Sequence, residues 1–170
     1  SHLWDMENLS QGRETRLHGA QVGVATCISA ALYHTILATK TPQFPTPEPW
    51  QDVEARICAE HGLLAKAILH QAKQKHARAA ERVAVLRDRW PSIRDGLAER
   101  KIPRPETIRH ALSMAGAPNT LSGLGESRSN AARVFRLARD IRDRVTVLDL
   151  GFELGILPNR IDDILDLAGV

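Results

Sequence analysis

Aromatic side chains are scarce in this 170-residue chain, where Phe, Trp and Tyr together make up 4%. So few of them argue against an aromatic-rich β-sandwich and against the stacking platforms of single-strand nucleic-acid binders. Cysteine is nearly absent. Cys27 and Cys58 fall within helical patterns and lack C-x-x-C spacing, which excludes a disulfide framework and a zinc knuckle and makes a reducing cytoplasm the expected setting. Long hydrophobic runs are also missing. The nearest, Val22 to Leu37, is interrupted by Thr26, Ser29, His34 and Thr35, short of the roughly 18 apolar residues a membrane span needs. No signal-peptide pattern opens the chain. P-loop, G-x-S-x-G and H-E-x-x-H motifs are all lacking. Gly123-Leu124-Gly125-Glu126-Ser127-Arg128 begins like a dinucleotide fingerprint, but Arg128 stands where the third glycine belongs and no strand precedes it. It is rejected as a cofactor loop.

What is present is ordinary for a globular protein: 43% hydrophobic and 25% charged residues, with a formal net charge of +3. The length suits one domain over residues 1–170. Arg128, Arg133, Arg136, Arg139, Arg142 and Arg144 gather in one segment, offset by Asp140 and Asp143. A basic stripe of this kind reads first as a solvated helix face. A basic nucleic-acid adaptor is the lesser alternative, because no stacking aromatics are interleaved with the arginines.

Hydrophobic spacing predicts an all-α chain, a single bundle of about eight helices. A short helix is expected from His2 to about Leu9, broken at Ser10-Gln11-Gly12. Leu17 to Thr39 is apolar nearly all round and is expected to be the central, buried helix, with Gly19, Ala20, Gly23 and Ala30 allowing close approach by its neighbours. Pro42, Pro45, Pro47 and Pro49 mark an extended surface loop. Trp50 to His61 follows, with Gly62 as its C-cap. Leu63 to Trp90 reads as one long helix that Pro91 ends, with a short helix after it to Leu97. Pro105 to Ala115, closed by Gly116, comes next, and then a loop through Gly125. A helix capped by Ser127 or Ser129 carries Ala131, Val134, Phe135, Ala138 and Ile141. Arg144 to Leu150 is the only strand-like window, and with no partner strand it is expected to be helical to about Glu153. The last helix begins near Leu157-Pro158-Asn159 and turns Ile161, Ile164, Leu165 and Ala168 inward.

Seven histidines are available. His70 and His76 lie on different faces of one helix, and His61 and His110 have no helical neighbour of ligand type. His18 differs, because it heads the buried helix and Gly19 and Ala20 leave room beside its imidazole. Asp5 and Glu7 near His2 are expected to be surface carboxylates.

Two segments carry a resemblance: Ser1-His2-x-x-x-Met6, and Leu17-His18-Gly19-x-Gln21-Val22-Gly23-Val24. Together with Ala115-Gly116-Ala117-Pro118 and Ile141-Arg142-Asp143-Arg144-Val145-Thr146-Val147-Leu148-Asp149-Leu150, this resembles the iron-containing alcohol dehydrogenase superfamily, in its glycerol-1-phosphate dehydrogenase branch. The branch carries Glu-His-x-x-Ser-His, then Leu-His-Gly-(Glu/Ala)-x-Val-Gly, Ala-Gly-Ala-Pro and Ile-Arg-x-Arg-Tyr-Thr-x-Leu-Asp. Val145 replaces the usual tyrosine, and Ala20 stands where glutamate is common.

The resemblance implies the helical C-terminal domain of a two-domain enzyme whose N-terminal nucleotide-binding domain is absent from this chain. It implies reduction of a small phosphorylated ketone such as dihydroxyacetone phosphate, with NAD(P)H and a divalent metal (zinc, nickel or iron) that polarises the carbonyl. His18 matches a metal ligand. His2 matches a histidine beside the metal and nicotinamide, in a catalytic role as proton relay or substrate orienter. Arg128, Arg133 and Arg144 are candidates for the substrate phosphate. The chain alone is expected to be inactive and to bind no cofactor tightly, since the other ligands would lie upstream of Ser1. A homo-oligomer is compatible with this reading, whereas membrane and nucleic-acid partners are not expected. A glycerol dehydrogenase or a dehydroquinate-synthase-like cyclase would share the fold. A free-standing helical interaction module is the alternative from another class.

Overall fold

The computed structural model describes residues 1–10, 12 and 17–170. Among these are nine α-helices and no strand: α1 (His2–Ser10), α2 (His18–Ala38), α3 (Trp50–His61), α4 (Ala65–His76), α5 (Ala79–Ala98), α6 (Pro105–Met114), α7 (Arg128–Leu137), α8 (Val147–Glu153) and α9 (Ile161–Ala168). The all-α expectation holds.

Helix α2 is the centre, packed by α6, α9, α8 and α5. Val24, Ala31, Leu32 and Ile36 on it are wholly buried, as are Ile164, Leu165 and Ala168 of α9. Its span is long and apolar enough to cross a membrane, contrary to the expectation that its polar residues interrupt it. The hydroxyls of Thr26, Ser29 and Thr35 donate to the carbonyls of Val22, Ala25 and Ala31 one turn back, so they satisfy themselves without breaking the apolar surface. With 56% of that apolar window buried in the bundle, α2 has the character of a core helix.

The small residues of α2 divide into two kinds. A Cβ at Gly23 would stand 2.9 Å from Leu112 Cδ2 of α6, whereas one at Gly19 would meet nothing within 4 Å. Of the two glycines, Gly23 alone serves close helix approach, so the expectation for Gly19 is corrected. Gly23→Val is expected to cost about 1–3 kcal/mol by overpacking, while Gly19→Ala leaves stability unharmed. Urea unfolding of the two variants checks this, and equal losses would contradict it.

Two helix boundaries differ from the expectation. Leu63–Trp90 is not one helix: Gly62–Leu64 forms a 3-10 turn, and α4 and α5 are separated at Ala77–Arg78. The inward positions Ile68, Ala72, Lys75, Ala79, Val83, Leu86 and Trp90 keep the helical period straight across the break, so periodicity cannot reveal it. At the break the Lys75 carbonyl accepts from the Arg78 N–H at 3.4 Å and from Arg82 Nη1 at 2.8 Å, so it is not left unpaired. Pro91, expected to end a helix, lies inside α5. The carbonyl that loses its donor belongs to Arg87, an exposed residue, while Trp90 beside the proline is buried and donates Nε1–H to Thr39 O at 3.2 Å.

The strand-like window resolves into a helix start. Asp149 Oδ2 accepts from the backbone N–H of Thr146 at 2.8 Å and from its hydroxyl at 2.9 Å, a capping arrangement that opens α8. Ser127 caps α7 by accepting from the Asn130 N–H at 3.1 Å. That helix stops at Leu137, short of the expected Ile141.

Candidate functional site

His2 and Asp5 lie three positions apart on α1 and so share one face. His18, the first residue of α2, meets that face, and its Nδ1 lies 2.7 Å from Asp5 Oδ2. An Nδ1–H donating to this carboxylate leaves the lone pair on Nε2 and fixes the ring's orientation. The His2 ring stands edge-on to the His18 ring, centroids 5.1 Å apart and planes at 85°. The His18 side chain is half exposed. Its Nε2 can therefore meet a ligand arriving from outside the bundle.

Asp5 and Glu7 are not the solvated carboxylates expected from sequence. Asp5 orients His18, and Glu7 is buried and pairs with Arg133 of α7 at 2.5 Å. Some of the buried polar atoms without a partner lie on the same two helices, others on His61, Arg109 and Asp149. Among the described residues, Trp4 Nε1, Asp5 Oδ1 and both polar atoms of the fully buried Gln21 side chain have no hydrogen-bond partner. Gln21 lies one turn beyond His18. Native structures hold few such orphans, and each calls for a partner such as an ordered water, an ion or another group. Burial lowers the proton affinity of His2, reinforced by Arg142 and by His18, with Asp5 opposing.

Of the candidate phosphate-binding arginines, Arg128 pairs with Asp162 and Asp166, Arg133 with Glu7, and Arg144 is exposed. None is in hydrogen-bond contact with the two histidines. Arg142, which was not among those candidates, is the arginine whose charge reaches His2. As for a metal, no three His, Cys, Asp or Glu side chains among the described residues come together as a ligand set. The residues present offer one oriented imidazole and do not complete a metal site.

A second polar cluster was not legible from sequence. His61, whose side chain is wholly enclosed, donates Nε2–H to Asp140 Oδ2 at 3.2 Å, and Arg56 Nη1 reaches the same oxygen at 2.8 Å. Lys75 and Arg139 share Asp149 at 2.9 and 3.4 Å, and Arg82 holds Glu153 at 2.7 Å. Burial pushes the Asp140 carboxyl up, but hydrogen bonds and charge from His61 and Arg56 outweigh it and hold the group below its ordinary value of 3.8. A depressed carboxyl contributes stability that is in place above its unfolded pKa and is lost as pH falls through the folded one. Wild type is therefore expected to lose stability relative to Asp140→Asn as pH is taken from 5 to below 3.8. Urea midpoints across that range test this, and parallel curves would contradict it.

A stretch of 43 residues, 25% of this chain, is 46% identical to the glycerol-1-phosphate dehydrogenase (NAD(P)+) of Thermofilum pendens strain DSM 2475 / Hrk 5. The matched part covers only 12% of that protein's length. No family model matches the chain, and no solved structure matches it. The local likeness points to a related dehydrogenase domain.

Proposed function

We propose that this chain is the helical metal- and substrate-binding domain of an NAD(P)-linked dehydrogenase resembling sn-glycerol-1-phosphate dehydrogenase. It would work with a separate nucleotide-binding domain on a small phosphorylated ketone such as dihydroxyacetone phosphate. The observation that carries the proposal is the Asp5–His18 pair. A carboxylate donated to by Nδ1–H presents Nε2 as a ligand, the second-sphere arrangement common to metal-binding histidines. His18 is accordingly one ligand of a divalent metal (zinc, nickel or iron) whose remaining ligands come from outside the described residues. His2 would act as proton relay or substrate orienter, a role that its edge-on contact with His18 supports. Arg142 joins Arg128, Arg133 and Arg144 as a candidate for the substrate phosphate, its charge being felt at His2.

Two further observations support the reading. Trp4, Asp5 and Gln21, on α1 and the first turn of α2, carry polar atoms without a partner among the described residues. Leu9, Leu17 and Val22, 68%, 83% and 40% exposed on the same two helices and their junction, give the face an apolar fringe suited to a docked domain. The test is metal affinity of the full-length gene product, read by chelator competition. Asp5→Asn is expected to weaken it about 10- to 100-fold with the fold intact. An unchanged affinity would remove His18 from the ligand set.

A further inference from the structure

A cavity of about 400 Å³ lies away from the two histidines, and no residue of α1 or α2 lines it. That volume is within the range of small-molecule sites. Its roof is the proline loop. Gln43 N–H donates to Leu154 O at 3.2 Å, Arg87 Nη2 to Phe44 O at 3.3 Å, and His76 Nε2 to Glu48 O at 2.7 Å, so the loop is fastened at three points. Its lining mixes the apolar Val53, Ala72, Val83 and Leu157 with the cations Arg56, Lys75, Arg82, Arg136 and Arg139 and the carboxylates Glu48, Asp140 and Glu153.

Each cation already has a carboxylate neighbour, so surplus charge does not decide what the cavity takes. Unspent donors do. Arg56 is committed to Asp140 through both terminal nitrogens, and Arg82 to Glu153 and the Lys75 carbonyl. Arg136 spends one Nη2–H on Glu60 at 2.9 Å. Arg139 has only the 3.4 Å approach of Nε to Asp149, which leaves its terminal N–H groups without a protein acceptor among the described residues. Its guanidinium lies 4.3 Å over the Phe152 ring, which holds the plane still. Arg136, in the last turn of α7, and Arg139, just beyond that helix, therefore bring unspent N–H donors to a cavity that apolar side chains also line.

We propose that this cavity binds a small organic anion, a carboxylate or phosphate monoester with an apolar body of several carbons. Arg139 and Arg136 hold the charged head, and Val53, Ala72, Val83 and Leu157 take the body. Fork-to-oxyanion hydrogen bonds are the strong, directional kind, and a preformed roof spares the ordering cost of binding. The site is separate from the proposed metal end, and its failure leaves that reading untouched.

Isothermal titration of the chain with octanoate, octanol and inorganic phosphate tests the proposal. Octanoate is expected to bind more tightly than either of the others, since only it uses both the unspent N–H donors and the apolar side chains of the lining. Arg139→Gln and Arg136→Gln are each expected to weaken octanoate about 10-fold or more while leaving octanol unchanged. Arg136, partly exposed, can be replaced without unsettling the core, so the test stands even if Arg139→Gln fails to fold. Octanol binding as well as octanoate would overturn the anionic head, and phosphate binding as well as octanoate would overturn the apolar body. No binding of any of the three, or octanoate binding indifferent to Arg136→Gln, would overturn the site itself.

Discussion

Replacing Asp149 with alanine is expected to lower stability by about 3–5 kcal/mol, the cost of breaking a buried ion pair from one side. The carboxylate is wholly buried, and three groups depend on it. It pairs with Lys75 at 2.9 Å and with Arg139 at 3.4 Å, and it accepts two hydrogen bonds from Thr146 at the start of α8. Burial already lowers the proton affinity of Lys75, and Asp149 is the main opposing influence. Without it the ammonium is left enclosed beside Arg139, and α8 loses its cap. Thermal unfolding is expected to shift down by roughly 10 °C. Ser127→Ala, the loss of an exposed helix cap alone, is the comparison and is expected to cost about 1 kcal/mol. Equal losses in the two variants would show that the buried pairs with Lys75 and Arg139 add nothing.

The largest functional effect is expected from His18→Ala in the full-length protein: metal content falls below stoichiometric and metal-dependent reduction falls to background. His18 is half exposed and, among the described residues, its side chain bonds only to Asp5, so the substitution leaves the core intact. That separates loss of a ligand from loss of the fold. His2→Ala should keep the metal and lose turnover, because its ring touches His18 edge-on while Asp5 still orients that ligand. Full metal occupancy and activity in His18→Ala would contradict both assignments.

How much of this is written in the sequence depends on the range of the interaction. Gly62, Gly116, Ser127 and the prolines of the 42–49 loop act within a few residues, and the helix ends they set are legible along the chain. The break at Ala77 is not, because Ile68, Ala72, Ala79 and Val83 keep one period across it. Pro91 misleads for the complementary reason, since whether a proline stops a helix depends on whether water reaches the carbonyl it frees. The buried ion pairs are the least legible. Asp140 and His61, or Lys75 and Asp149, lie far apart in sequence and look like ordinary surface charges until the helices bring them together. At the candidate site, His18 and its helix can be singled out from the small residues that follow. Its partner Asp5 cannot, because that contact forms only where α1 meets α2.

The central claim is that this helical chain is one half of a metal-dependent dehydrogenase. Its most direct test is the oxidation of NADH or NADPH by dihydroxyacetone phosphate, catalysed by the full-length gene product before and after removal of its metal. The account predicts reduction that vanishes with the metal, returns with zinc, nickel or iron, and is absent from residues 1–170 alone. A folded, metal-replete full-length protein that leaves the cofactor unoxidised, or equal activity from the 170-residue chain, would contradict it.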